Sequence, residues 1–215
     1  MLVQHSEDTV RVPVQNSTDR VIASVQKNTD FACVRVQSNT DTVRVSLHNI
    51  TDIVGLSIQH NTDSVVVSVQ HSTDSARVSL EHTTVIVRVS EQKNTDTVRV
   101  SVKQRSNIVH VSVQHNTVIE SLSVQHSTDS VVVWVQHNTD TVYVWVEDST
   151  DYMRVSVQQI TYTLRVSIQH STDSVGVSAQ RSTYSVVVSV QLNTGSVFLS
   201  VKYSTVLYVF QFRTL

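Results

Sequence analysis

Thr62-Asp63-Ser64-Val65-Val66-Val67-Ser68-Val69-Gln70-His71-Ser72 is followed at once by Thr73-Asp74-Ser75, where the same phrase begins again. Counting in elevens from Glu7 lands on a threonine at every step from Thr18 to Thr205, with Ser106 the single substitute. A fixed period carried along a chain sets its architecture before any local feature does. Residues 1–215 therefore read as one repeat array of about nineteen 11-residue units, looser at both ends. The first units hold Pro13 and the divergent Phe31-Ala32-Cys33-Val34, and the last, Thr205 to Phe212, is rich in aromatics and is expected to close one end.

With the threonine of each unit numbered zero, offsets three, five and seven are apolar, as in Val65, Val67 and Val69 or Leu164, Val166 and Ile168. Of 57 such positions only Glu91 and Glu120 break the rule, and each predicts a local defect because an unpaired buried carboxylate is costly. Spacing by two puts three side chains on one face of a strand, and valine favours that conformation. A helix would scatter the same residues around its circumference. The remainder, Gln-His-Asn/Ser-Thr-Asp, is the polar cluster of a turn. Each unit is thus one short strand and one turn.

Two all-β architectures follow. An up-and-down antiparallel meander pairs valine with valine in every hairpin, but one layer leaves its apolar face wet, so it must close into a sandwich or barrel. Coiling two units per turn, about 22 residues, stacks parallel strands into two sheets whose valine faces meet. This β-solenoid is the preferred reading. Its weakness is the aspartate at offset one, including Asp41, Asp52, Asp63 and Asp74, which stacking brings to about 4.8 Å from its copies. Burial of each valine contributes roughly 1.5 kcal/mol or more and outweighs it. An outer-membrane-type barrel is disfavoured, because five residues from offset three to seven span about 17 Å against an apolar band of about 25 Å.

Charge is nearly balanced, with a formal net of −2 and a pI near 6.5, so the linear sequence shows no basic stripe and nucleic acid is not expected as a partner. Cys33 is the single cysteine, which excludes an internal disulfide. No secretory signal opens the chain and no run approaches the roughly 18 apolar residues of a membrane helix, which places it in the cytosol by default and makes a membrane partner unexpected.

Chemistry is harder to find. Ser, His and Asp recur so often that a catalytic-looking trio arises by chance in any fold, and no insertion interrupts the units to form a pocket, so an enzyme is not expected and no cofactor is implied. The histidines at offset nine, His60, His71, His82, His115, His126 and His137, are the only candidates for a metal column, and Lys93 and Gln104 interrupt it. Trp134, Tyr143 and Trp145 replace serine or arginine at outward offsets and form the one candidate contact patch, suited to a partner or sugar surface. Thr-x-Thr at the strand entrance, as in Thr40-Asp41-Thr42, resembles in that respect the threonine arrays of solenoidal antifreeze proteins, which implies an ice-binding surface; here Asp stands where those arrays hold a small inward residue.

No specific biochemical function is inferable from this pattern. A structural or interaction repeat protein is the first reading. Self-assembly is the second, because windows such as Ser64 to Val69 are uncharged, β-prone and free of Pro and Gly, so self-association through strand edges is expected as a risk. A metal- or ice-binding surface is the third. Substitutes at both core and histidine offsets are single-base neighbours of the consensus codons, which is the spectrum of a recently expanded 33-nucleotide tandem repeat.

Overall fold

The computed structural model describes residues 2–6, 9–17, 20–28, 30–39, 41–50, 52–61, 63–72, 75–83, 86–94, 97–116, 119–138, 140–149, 151–160, 162–171, 174–182, 185–193, 195–202 and 206–212. Near most corners and in the first and last strands the description covers backbone only. Eighteen strands and no helix occur among the described residues. They are β1 (Leu2–Ser6), β2 (Thr9–Ser17), β3 (Arg20–Asn28), β4 (Phe31–Asn39), β5 (Thr42–Ile50) and β6 (Ile53–Asn61). Next come β7 (Ser64–Ser72), β8 (Ser75–Thr83), β9 (Ile86–Asn94), β10 (Thr97–Asn116), β11 (Ile119–Asn138) and β12 (Thr141–Ser149). The chain continues with β13 (Tyr152–Ile160), β14 (Thr163–Ser171), β15 (Ser174–Ser182), β16 (Ser185–Asn193), β17 (Ser196–Lys202) and β18 (Val206–Phe212).

All the strand pairings are parallel, and nearly every partner lies 22 residues away: Val43 beside Val65, Val65 beside Val87, Val142 beside Leu164. This is the two-sheet β-solenoid, and it overturns the antiparallel meander. It equally overturns the membrane barrel, whose strands pair antiparallel. The first sheet stacks β2, β4, β6, β8, the opening halves of β10 and β11, then β12, β14, β16 and β18. The second stacks β1, β3, β5, β7, β9, the closing halves of β10 and β11, then β13, β15 and β17. Each half of the long β10 and β11 belongs to a different sheet, and their ladder runs through the corner with register shifts around Ser106.

Alternation does the sorting. Offsets three, five and seven point inward, and Val45, Val65, Val133, Leu164 and Val186 are wholly shielded between the sheets. Ala23, Ala32, Met153 and Ile168 share the same rows, so the core accepts side chains from alanine to methionine. Glu91 keeps its register between Val69 and Val113, and Glu120 keeps its own between Val98 and Val142; their side chains lie outside the described set. Pro13 lies in β2, which pairs on one side only among the described residues, the setting in which a missing ladder donor is tolerated.

The turn is shorter than the sequence pattern suggests. Strands run nine residues, offsets two to ten, because offsets eight and ten stay paired with the next coil on either side of an unpaired offset nine. Offset nine makes the bend: Asn49, Gln159 and Arg181 have φ of 53°, 56° and 55°. The residue after the bend can turn inward, and Ile50 is buried there with 2% exposure. Backbone bonding then continues past the corner, where the offset-one carbonyl accepts from the next coil: Ser64 N donates to Asp41 O at 3.1 Å and Ile86 N to Asp63 O at 3.0 Å.

One register differs from the count in elevens. β18 pairs Val186 with Leu207 and Val188 with Val209, partners 21 rather than 22 residues apart. A slip of one exchanges the two faces of a strand. Leu207 and Val209, rather than Tyr208 and Phe210, are therefore the residues in register with Val186 and Val188.

Leu47→Ala removes a fully shielded side chain and is expected to destabilise by about 2–5 kcal/mol, read as a lower urea midpoint, while Ser46→Ala on the opposite face changes it by less than about 0.5 kcal/mol. Arg181→Gly relieves a left-handed backbone that an arginine adopts at a cost of roughly 1 kcal/mol. Its urea midpoint should therefore rise, and a fall would show that the Arg181 side chain matters more than the bend.

Candidate interaction surface

Because neighbouring coils repeat the same phrase in register, each outward offset becomes a row of like side chains running along the solenoid axis. Offset eight is the glutamine row. Gln15 Nε2 donates to Gln37 Oε1 at 3.3 Å, Gln37 to Gln59 at 3.2 Å, and Gln59 to Glu81 Oε2 at 3.2 Å. In the second sheet Gln70 donates to Gln92 and Gln92 to Gln114, both at 3.4 Å, and Gln136 to Gln158 at 3.2 Å. A primary amide both donates and accepts, so it can bond to copies above and below at once, which an arginine row, all donors, cannot do. The near-constant glutamine at this offset was the sequence signal for the row; reading it as part of a turn concealed its role. Offset two adds hydroxyl contacts, Ser64 Oγ to Thr42 Oγ1 at 3.4 Å and Thr163 to Ser185 at 3.2 Å.

Charges are sorted by the fold. Offsets four and six of both sheets carry no acidic side chain among the described residues. The first sheet shows exposed Arg11, Arg35, Arg77, Arg99 and Arg165; the second shows Arg44, Arg88 and Arg154 with His110. Aspartates occupy the corners instead, with Asp30, Asp41, Asp52, Asp63 and Asp151 all exposed. The stacked carboxylates expected from the sequence, such as Asp30 and Asp52, thus stand in water, where a pair at about 4.8 Å repels by roughly 1 kcal/mol. The basic rows that no linear stretch displays arise only when every second unit is stacked.

The three aromatics do not form one patch. Trp134 lies in β11's closing half, in the second sheet between Ser112 and Ser156, and is half-buried. Tyr143 and Trp145 lie on β12 in the first sheet, two residues apart on its outward face, and are 41% and 42% exposed. The register places Ser121 and Ser123 on one side of them and Arg165 and Ser167 on the other. The Arg165 guanidinium stands over the Tyr143 ring, 5.9 Å from its centroid, a cation–π contact. Cys33 is half-buried in the same outward row, between Arg11 and Gly55.

The side chains of His60, His71, His82, His115, His126 and His137 lie outside the described set; their backbones belong to β6, β7, β8, β10 and β11. Among the described residues no three His, Cys, Asp or Glu gather closely enough to hold a metal ion. No helix among them is long and apolar enough to cross a membrane.

Gln59→Ala breaks two part-buried bonds and is expected to lower stability by about 1–2 kcal/mol, measured by urea unfolding, whereas Gln15→Ala, with one exposed bond, should lower it by about half a kcal/mol or less. Equal effects at the two positions would show that the row contributes little. No family model, no curated protein and no solved structure matches this chain.

Proposed function

We propose that this protein is a non-enzymatic structural or interaction repeat protein, a straight β-solenoid whose two faces present fixed rows of side chains. The observation that carries this reading is the 22-residue parallel register, which among the described residues holds through ten stacked strands of the second sheet and nine of the first, up to the one-residue slip at β18. Nine steps of about 4.8 Å give a rod of roughly 43 Å along the axis. Repeats of this kind contact only their neighbours, so the outer rows vary without disturbing the core. Arginine, serine, glycine, tyrosine and valine indeed occur at offset four over an interior that stays largely aliphatic.

A second reading is end-to-end self-association of this 215-residue chain. In β17 the inward Val197, Leu199 and Val201 are only partly buried, unlike their counterparts in β15, and Phe198 beside them is 67% exposed. A strand that pairs on one side only among the described residues and carries a half-covered apolar row invites another copy, and a head-to-tail contact does not close.

Sedimentation velocity across a concentration series, with far-ultraviolet circular dichroism and thioflavin staining of the same samples, separates the two. A β-rich spectrum with a concentration-independent monomer supports the scaffold. Growth of thioflavin-positive polymers that Phe198→Lys suppresses supports end-to-end assembly, and a disordered spectrum removes the scaffold reading altogether.

A further inference from the structure

We propose that the outward face of the first sheet around β12 binds a linear acidic polysaccharide. The proposal rests on the scaffold reading and names what one face of that scaffold presents. Five consecutive strands align Arg77, Arg99, Ser121, Tyr143 and Arg165 in one row, each beside the next. Beside it run Ser79, Ser101, Ser123, Trp145 and Ser167. The two rows extend over about 19 Å, four steps of roughly 4.8 Å each.

The chemistry of the rows is that of a charged sugar chain. Guanidinium groups match carboxylate and sulfate with paired N–H donors. Tyr143 and Trp145 offer amphipathic rings, exposed by two-fifths of their surface, on which the apolar face of a pyranose can rest. The serines supply donors and acceptors for sugar hydroxyls between these anchors. The Arg165–Tyr143 contact holds the cation beside the ring, so one sugar unit can meet both.

Negative groups confine the ligand without entering the rows. Asp140 precedes β12 at one corner, Glu147 ends the outward face of β12 at the other, and Glu81 lies beside Lys103 in the same outer row. Gln125 Nε2 donates to Glu147 Oε2 at 3.2 Å, which ties that carboxylate into the glutamine row. An anionic polymer is therefore favoured along the axis over the arginine and serine rows, which hold no acidic group, rather than across the strands toward Asp140 and Glu147. Single-stranded nucleic acid fits less well, since it favours a groove with an aromatic platform for successive bases, and here the sheet is open and one strand supplies both rings.

The test titrates polygalacturonate and heparin into the full chain by calorimetry at about 0.05 M and 0.2 M salt, with circular dichroism on every variant. Tyr143→Ser, Trp145→Ser and Arg165→Ser introduce the residue that neighbouring coils already carry in these rows, so folding is expected to persist. Binding is expected at low salt and should weaken about tenfold at the higher salt. Trp145→Ser and Arg165→Ser should each weaken it about three- to tenfold, and Trp134→Ser, on the other sheet, by less than about twofold. Absence of binding by a folded β-rich chain, or equal losses in Trp134→Ser and Trp145→Ser, overturns the proposal while leaving the scaffold intact. Tighter binding of oligo-thymidine than of either polysaccharide overturns it in favour of single-stranded nucleic acid. A chain without a β spectrum fails at the earlier step, the scaffold itself.

Discussion

Three apolar side chains per unit, all on one face of a strand, must be taken out of water, and the second sheet is the partner that does so. Everything else in the molecule follows from that requirement. A valine row shielded on one side by its own sheet and on the other by the facing sheet reaches essentially full burial, as Val65, Val133 and Val186 do. With roughly 1.5 kcal/mol or more for each such side chain, burial in one unit outweighs the roughly 1 kcal/mol repulsion of exposed stacked aspartates. The order of these magnitudes is why the solenoid forms without glycine-rich corners.

Stacking in register converts a sequence repeat into rows, and the rows differ in what repetition does for them. Glutamine gains from a copy above and below, since its amide bonds to both, as in Gln37, Gln59 and Glu81. Threonine and serine at offset two gain less. Aspartate loses, and it sits at the corner where solvent weakens the loss. The corner itself depends on one left-handed residue, and Asn49, Gln159 and Arg181 show that glycine is not required to make it.

Surface character is a product of the same coiling. A chain with a formal net charge of −2 presents two faces whose central rows carry arginine and histidine but no acidic side chain among the described residues, because aspartates fall at corner offsets and most arginines at offset four. The aromatic residues illustrate the reverse case. Trp134 and Trp145 occupy the same offset one unit apart, and that single unit sends them to opposite sheets.

The period of eleven, the spacing of two within it and the β-branched residues determined by themselves that the chain is extended and that offsets three, five and seven face a core, because backbone alternation and the need to cover an apolar face are local and general constraints; two units per coil was one of two ways to meet them, and the parallel register chose it over the meander. Only the tertiary structure decided where the strand ends, that the glutamine of offset eight stays in the ladder, that Ile50 turns inward, and that β18 slips by one residue, because hydrogen bonding between coils and space in the core are set by chain segments about 22 residues away. Side-chain neighbourhood was likewise hidden: Tyr143 meets Arg165 and parts from Trp134 through a register that no reading along the chain displays.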